Sequence, residues 1–120
     1  MKNKTDIIWL DEVDSTNNEA KRRFDDIDNL SVLSALSQTS GRGQRGNTWT
    51  SDPGANLTFS IVLKYDRMDG SRIQAYDQFA ISQIASLAVV DFLARRGIRA
   101  EIKWPNDIYT SNGKICGILI

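Results

Sequence analysis

Three glycines, Gly41, Gly43 and Gly46, fall within six residues, and no helical pattern follows them. That missing helix constrains the fold more than any other feature of the chain. The glycines match G-x-G-x-x-G, and Asp66 lies 20 residues past the last of them. A dinucleotide-binding fold, however, needs the fingerprint to open a helix. A P-loop is nearly matched too, with Gly41, Gly46 and Thr48 in place, but Asn47 stands where the phosphate-binding lysine belongs. Residues 50–56 are turn chemistry throughout. Leu57, Phe59, Ile61 and Leu63 then alternate with Thr58, Ser60, Val62 and Lys64, the clearest strand pattern in the chain. The loop therefore joins two strands, since residues 30–37 read as the strand that leads into it.

The other elements follow from local pattern. Ile7-Ile8-Trp9-Leu10 reads as a short strand with both faces covered. Asp14-Ser15-Thr16-Asn17 starts a helix over about residues 17–24, and Thr16 with Glu19 fits a capping box. Ala20 and Phe24 are the only residues this short helix has to bury. After a polar loop over 66–71, one long helix is predicted over 73–96. Its apolar stripe is Tyr76, Phe79, Ala80, Ile84, Leu87, Ala88 and Val90. Arg95 and Arg96 complement its C-terminal dipole, and Gly97 supplies the usual left-handed stop. Residues 98–104 alternate as a strand that Pro105 ends, with Asn106-Asp107 in an exposed turn. Residues 108–110 and 114–120 make a hairpin through Ser111-Asn112-Gly113. The order β-α-β-loop-β-α-β-β, with short connections, predicts an α+β fold with a mixed, largely antiparallel sheet flanked by helices.

Composition narrows the chemistry. Fifteen basic and fifteen acidic residues cancel, so no overall field favours nucleic acid or an anionic membrane. The single Cys116 excludes an internal disulfide and fits a reducing cytoplasm. The absence of histidine removes Ser-His-Asp and Cys-His catalysis, histidine metal sites and histidine bases together. Neither a signal peptide nor a membrane span is predicted. Within the glycine loop, Arg42 and Arg45 carry planar forks suited to carboxylate or phosphate oxygens, and Trp49 offers a stacking face. Lys103, Asn106, Asp107 and Lys114 form a second polar group at strand ends, able to hold a ligand or magnesium. By pattern alone they also read as a turn and a hairpin lysine. Ser15, Thr16 and Asn17 likewise read as a helix cap, or as a cap that also faces a ligand.

Taken together, Asp14-Ser15-Thr16-Asn17, Gln38-Thr39-Ser40-Gly41-Arg42-Gly43 through Trp49, Lys103-Trp104-Pro105-Asn106-Asp107 and Lys114-Ile115-Cys116-Gly117-Ile118-Leu119 resemble the biotin protein ligases in order and spacing. The resemblance spans essentially the whole chain. It implies a catalytic domain related to class II aminoacyl-tRNA synthetases and lipoate ligases, of which residues 1–120 are the N-terminal part of a truncated chain. The implied activity uses ATP and magnesium to convert biotin to biotinyl-5′-AMP. The biotinyl group then passes to a lysine of a biotin carboxyl carrier protein.

The resemblance also implies roles. Ser15, Thr16 and Asn17 line the biotin ureido end, and Gln38 bonds to biotin or its adenylate. Arg42, Gly43 and Gln44 belong to a loop that closes over the carboxylate and phosphate. Trp49 packs beside adenine, and Lys114 points at the acyl-phosphate oxygens. Arg42 and Lys114 are the residues expected to act in catalysis, and Lys103 and Asn106 fall on the nucleotide side. Asp107 serves a metal or an amine. Many relatives have a second arginine at the position of Gln44. Here the cation falls at Arg45, and which side chain makes the second anion contact is left open. Six residues precede Ile7, too few for a DNA-binding domain, so the expected partners are the carrier protein, with no DNA, no membrane and a homodimer allowed. Lipoate or octanoate ligases and transferases on the same fold are the enzymatic alternative. A non-catalytic ligand-binding or interaction domain is the other.

Overall fold

The computed structural model describes residues 6–64, 77–104 and 106–120, without the side chain of Gln44. The elements are β1 (Ile7–Val13), α1 (Thr16–Arg22), β2 (Val32–Gln38), β3 (Thr58–Ile61), α2 (Gln78–Ala94), β4 (Glu101–Lys103), β5 (Asp107–Thr110) and β6 (Gly113–Gly117), with 3-10 turns at Phe24–Asp26 and Gln44–Gly46. The chain divides into two compact units, 1–72 and 73–120. The α+β prediction holds, and its strands fall into two three-stranded sheets, β1-β2-β3 and β4-β5-β6.

In the first unit β1 runs parallel to β2, and β2 antiparallel to β3. A parallel pair needs a crossover, and α1 supplies it. One face of the sheet carries Leu33, Ala35, Ser60 and Val62, all buried, and α1 packs against β2 and β3. The row Trp9-Ser34-Phe59 lies on the other face. There Trp9 is 72% exposed and Phe59 and Ile61 are about half exposed. The expectation that Ile7 to Leu10 is covered on both sides is therefore corrected: α1 covers one face, and Ile7 and Trp9 stand on the open one. Strand β3 is also shorter than predicted, and Leu57 precedes it largely exposed.

Helix α1 begins one residue earlier than the capping-box reading requires. Ser15 is the N-cap, with extended φ −154° and ψ 150°, and its hydroxyl accepts from Asn18 N–H at 3.0 Å. Thr16 is the first helical residue, and Glu19 bonds Arg22 and Arg23 at 2.6 Å instead of reaching back to the cap. Two guanidinium partners outcompete one backbone N–H for that carboxylate. Phe24 is not buried beside Ala20. It lies exposed in the 3-10 turn, with Lys64 Nζ 4.8 Å from its ring centre.

In the second unit all strand pairs are antiparallel, and α2 packs on β4 and β5 around the fully buried Ile108. The predicted loop 66–71, the helix start at 73–76 with Tyr76, and the stop at Pro105 lie outside the described residues. The α2 side chains that are buried are Ser82 and Ser86, whereas Phe79, Ile84 and Leu87 of the predicted stripe are exposed. The helix ends as predicted: Gly97 takes φ 77°, and Ile98 N–H reaches Leu93 O at 2.9 Å. Arg95 pairs with Asp91 at 3.0 Å, and the Arg96 guanidinium lies over the Phe92 ring. Asp107 is not in an exposed turn but opens β5, opposite Lys103 and Gly117. The hairpin turn is Ser111-Asn112, and Gly113, at φ 121°, already belongs to β6.

Candidate ligand site

In the first unit the strand and helix ends bring four polar residues into one hydrogen-bonded cluster, joined through the backbone as well as the side chain of Thr16. Gln38, the last residue of β2, accepts from Thr16 N–H through Oε1 at 2.7 Å. The Thr16 hydroxyl lies 2.7 Å from the Ser60 hydroxyl, and Ser60 donates to Asn17 Oδ1. Ser60 has one proton and gives it to Asn17, so Thr16 must be the donor between the two hydroxyls. The Asn17 and Gln38 amide N–H groups take no part in these bonds. It also leaves Thr16 Oγ1 with acceptor capacity. Thr16 is 4% exposed and Ser60 9%, so the hydroxyls are fixed in a poorly solvated place. Ser15, also buried, is occupied as the cap, and only its hydroxyl proton remains for a ligand.

The glycine-arginine loop is a small closed hairpin in this structure. Gly43 N–H bonds to Asn47 O at 2.7 Å, Trp49 N–H to Gly41 O at 2.9 Å, and Arg42 bridges Thr48 in antiparallel fashion. Arg45 at φ 55° and Gly46 at φ 77° make the tip. Ser40 N–H to Asp14 O and Thr39 N–H to Val13 O fasten its base to the end of β1. Gly41 is required at that base, because a Cβ there would meet the Trp49 carbonyl oxygen and come within 2.9 Å of Gln38 Nε2. Arg42 Nη1 donates to Asn18 Oδ1 at 2.9 Å, which ties the loop to α1. Asn18 in turn donates to Asp14 Oδ2 at 3.0 Å, and Asp14 is gripped by both terminal nitrogens of Arg22. The bonds from Arg22 and then Asn18 hold the Asp14 carboxyl well below the usual carboxylate range. Glu19 is lowered in the same direction by Arg22 and Arg23.

The second unit carries the other predicted residues. Lys114 Nζ lies 2.8 Å from Asp107 Oδ1 across the β5–β6 pair, and both side chains are partly covered. Lys103 Nζ sits 5.7 Å from the Tyr109 ring centre, and the Asn106 carbonyl accepts from Ile118 N–H at 2.9 Å. Burial pushes the Cys116 thiol up, against a smaller opposing effect of Lys114, so it stays a thiol. Among the described residues no group of three or more His, Cys, Asp or Glu side chains is gathered for a metal. A divalent cation would find one carboxylate already held by a lysine. That donor set suits an ion that arrives on a substrate's phosphates, as magnesium commonly does.

The structure brings Thr16, Asn17 and Gln38 into one cluster and sets Arg42 of the loop against Asn18, the next residue of α1. It brings Asp107 and Lys114 together in a second. The sequence pattern did not point to two of the participants. Ser60 looked like an ordinary polar position in an alternating strand, and Asn18 like one more residue of a polar helix. The only available signal for Ser60 was a serine on the register shared with Val62.

Comparison with known proteins bears on both units. A model of the biotin/lipoate A/B protein ligase family matches residues 9–120. Biotin–protein ligase 2 of Arabidopsis thaliana is 34% identical over 116 residues, which cover 94% of this chain and 34% of that protein. The biotin–[acetyl-CoA-carboxylase] ligase of Paracoccus denitrificans is 35% identical over 114 residues, covering 92% of this chain and 45% of that one. The biotin protein ligase of Aquifex aeolicus in complex with biotin and ATP matches with a TM-score of 0.77 at 31% identity, over 95% of this chain and 45% of that chain. The chain spans about a third to just under half the length of these relatives.

Proposed function

The chain belongs to the biotin/lipoate A/B protein ligase family, and from that premise we propose that it serves a biotin protein ligase. Its reaction is the ATP-dependent formation of biotinyl-5′-AMP followed by transfer to a carrier lysine. The observation that carries this reading is the hydrogen-bonded cluster of Gln38, Thr16, Ser60 and Asn17. A ureido ring presents one carbonyl acceptor and two N–H donors. The cluster presents amide donors from the half-buried Asn17 and Gln38 beside the buried hydroxyl of Thr16 as acceptor. Lipoate's dithiolane has no such groups, and it would leave these polar atoms dry and unpartnered at a cost of about 1–3 kcal/mol each. That mismatch favours biotin over lipoate or octanoate.

In the first step a biotin carboxylate oxygen attacks the α-phosphorus of ATP. The bond to the β-phosphate oxygen breaks, and pyrophosphate leaves with that electron pair. In the second, a carrier lysine amine attacks the acyl carbon, the bond to the phosphate oxygen breaks, AMP departs, and the amine loses a proton. Neither step needs a histidine, because the first nucleophile is the substrate itself. The protein's task is positioning and charge neutralisation. Arg42 faces the carboxylate and phosphate, Lys114 the acyl-phosphate oxygens, and Trp49 the adenine. Arg45 and Lys103 add positive charge on the nucleotide side, and Gly43 with Gln44 gives the loop backbone its path. Magnesium, when bound with the nucleotide, supplies further neutralisation, with Asn106 and Asp107 as the residues able to face it.

The named specificity of the Paracoccus relative supports an acetyl-CoA carboxylase carrier as acceptor. No helix among the described residues is long and apolar enough to cross a membrane. A cytoplasmic setting and a homodimer are part of the proposal. The test is biotin-dependent exchange of labelled pyrophosphate into ATP by the protein. Exchange with biotin and none with lipoate is expected. Exchange with lipoate alone would move the assignment to the lipoate branch, and biotin binding without any exchange would leave only a binding role.

A further inference from the structure

Asn18 is placed to do something that the motif reading assigns to no residue. Its side-chain amide sits between a carboxylate and a guanidinium: Nδ2 donates to Asp14 Oδ2 at 3.0 Å, and Oδ1 accepts from Arg42 Nη1 at 2.9 Å. The orientation of the amide is fixed by chemistry, because a carboxylate cannot accept from a carbonyl oxygen and a guanidinium cannot donate to an NH₂ group. Asp14 is itself immobilised by the two-pronged grip of Arg22, and Asn18 N–H is held by the Ser15 hydroxyl at 3.0 Å. The bond to Arg42 therefore rests on a rigid base.

We infer that Asn18 is the positioning residue for Arg42, aiming the loop guanidinium while leaving its charge uncompensated for an anionic ligand. This rests on the proposed reading of Arg42 as the group that meets the biotin carboxylate and the α-phosphate. The neutrality of the amide is what matters. A carboxylate at position 18 would orient Arg42 equally well but would cancel its charge, and it would also face Asp14 with like charge. An apolar side chain would leave Arg42 charged and free to wander, so that ordering it would be charged against ligand binding. An amide orients without neutralising. It also links the loop through Asp14 to Arg22, so that the guanidinium is preorganised before any ligand arrives.

The experiment is calorimetric titration of the protein with biotin and with its uncharged methyl ester, for the unaltered chain and for Asn18→Ala, Asn18→Asp and Asn18→Gln. Asn18→Ala should weaken biotin binding about ten- to a hundredfold, the scale of one hydrogen bond to a charged group, and leave ester binding unchanged. Asn18→Asp should weaken biotin binding further, with the ester again unaffected. Asn18→Gln keeps both amide functions and should recover part of the loss. Equal losses for biotin and ester would make Asn18 a merely structural residue. No loss in Asn18→Ala, or tighter biotin binding in Asn18→Asp, would also overturn the inference. Failure of the unaltered protein to bind either ligand would instead refute the functional reading on which the inference rests.

Discussion

The single proton on Ser60 decides how the site presents itself. Because Ser60 donates to Asn17, Thr16 must donate to Ser60; Gln38 accepts separately from the Thr16 backbone N–H, and the amide N–H groups of Asn17 and Gln38 take no part in these bonds. Asp14 plays the corresponding part on the charged side. It is held ionised by Arg22 first and by Asn18 second. A carboxyl with a lowered folded pKa contributes stability that is fully present above its ordinary value near pH 4. That stability is lost as pH falls through the lowered folded value. Asp14 and Arg22 are substantially exposed, so solvent screens the pair and the effect is modest. Thermal unfolding followed from pH 6 downward should therefore decline less steeply below about pH 4 in Asp14→Asn than in the unaltered protein. Parallel curves for the two proteins would show that the pair does not contribute. At this scale the sequence was legible wherever residue type alone fixes the chemistry. It marked Arg42 as a cation and Gln38 as an amide, but not the bond from Arg42 to Asn18 or the Thr16 N–H that fixes the Gln38 oxygen.

Elements were legible where a local period reports them. The alternation of residues 57–64 predicts β3, the Gly97 stop predicts the end of α2, and the absence of a helix after Gly46 predicts a loop between strands; each is found. Faces were not legible, because alternation says that a strand has two sides and not which one is covered. In β3 the covered side is that of Ser60 and Val62, and in α2 it is that of Ser82 and Ser86. Cap register failed for a related reason: Ser15, Thr16 and Asn17 all favour a helix start, and only tertiary bonds from Gln38 and Ser60 select Ser15 as cap. The β5–β6 hairpin shows the same limit. Lys114 and Asp107 were recognised as members of one polar group, while their 2.8 Å pairing depends on the strand register that sets them across from each other. Asp107 fixes Lys114 without burying it, which suits a charge needed in a transition state. Lys114→Ala should accordingly lower the rate of biotin-dependent pyrophosphate exchange by a hundredfold or more, about 2.7 kcal/mol, while changing biotin affinity by less than about threefold. Equal losses in rate and affinity would contradict that role.

On the scale of the whole molecule, fold class and family were legible because four motifs keep their order along the chain, and the match over residues 9–120 agrees. What order along a chain does not reveal is which polar atoms are already satisfied. That depends on long-range contacts such as Thr16 with Ser60, 44 residues apart. The central claim is that these buried hydroxyls and half-buried amides receive the ureido ring of biotin, and the most direct test is calorimetric titration with biotin and lipoate of the protein and of Ser60→Ala. Removing one hydroxyl leaves Thr16 and Asn17 without their shared partner and should weaken ureido recognition by roughly 1–2 kcal/mol. The expected result is binding of biotin, none of lipoate, and about a five- to thirtyfold loss for biotin in Ser60→Ala. Lipoate binding as tight as biotin, or biotin affinity indifferent to Ser60→Ala, would contradict it.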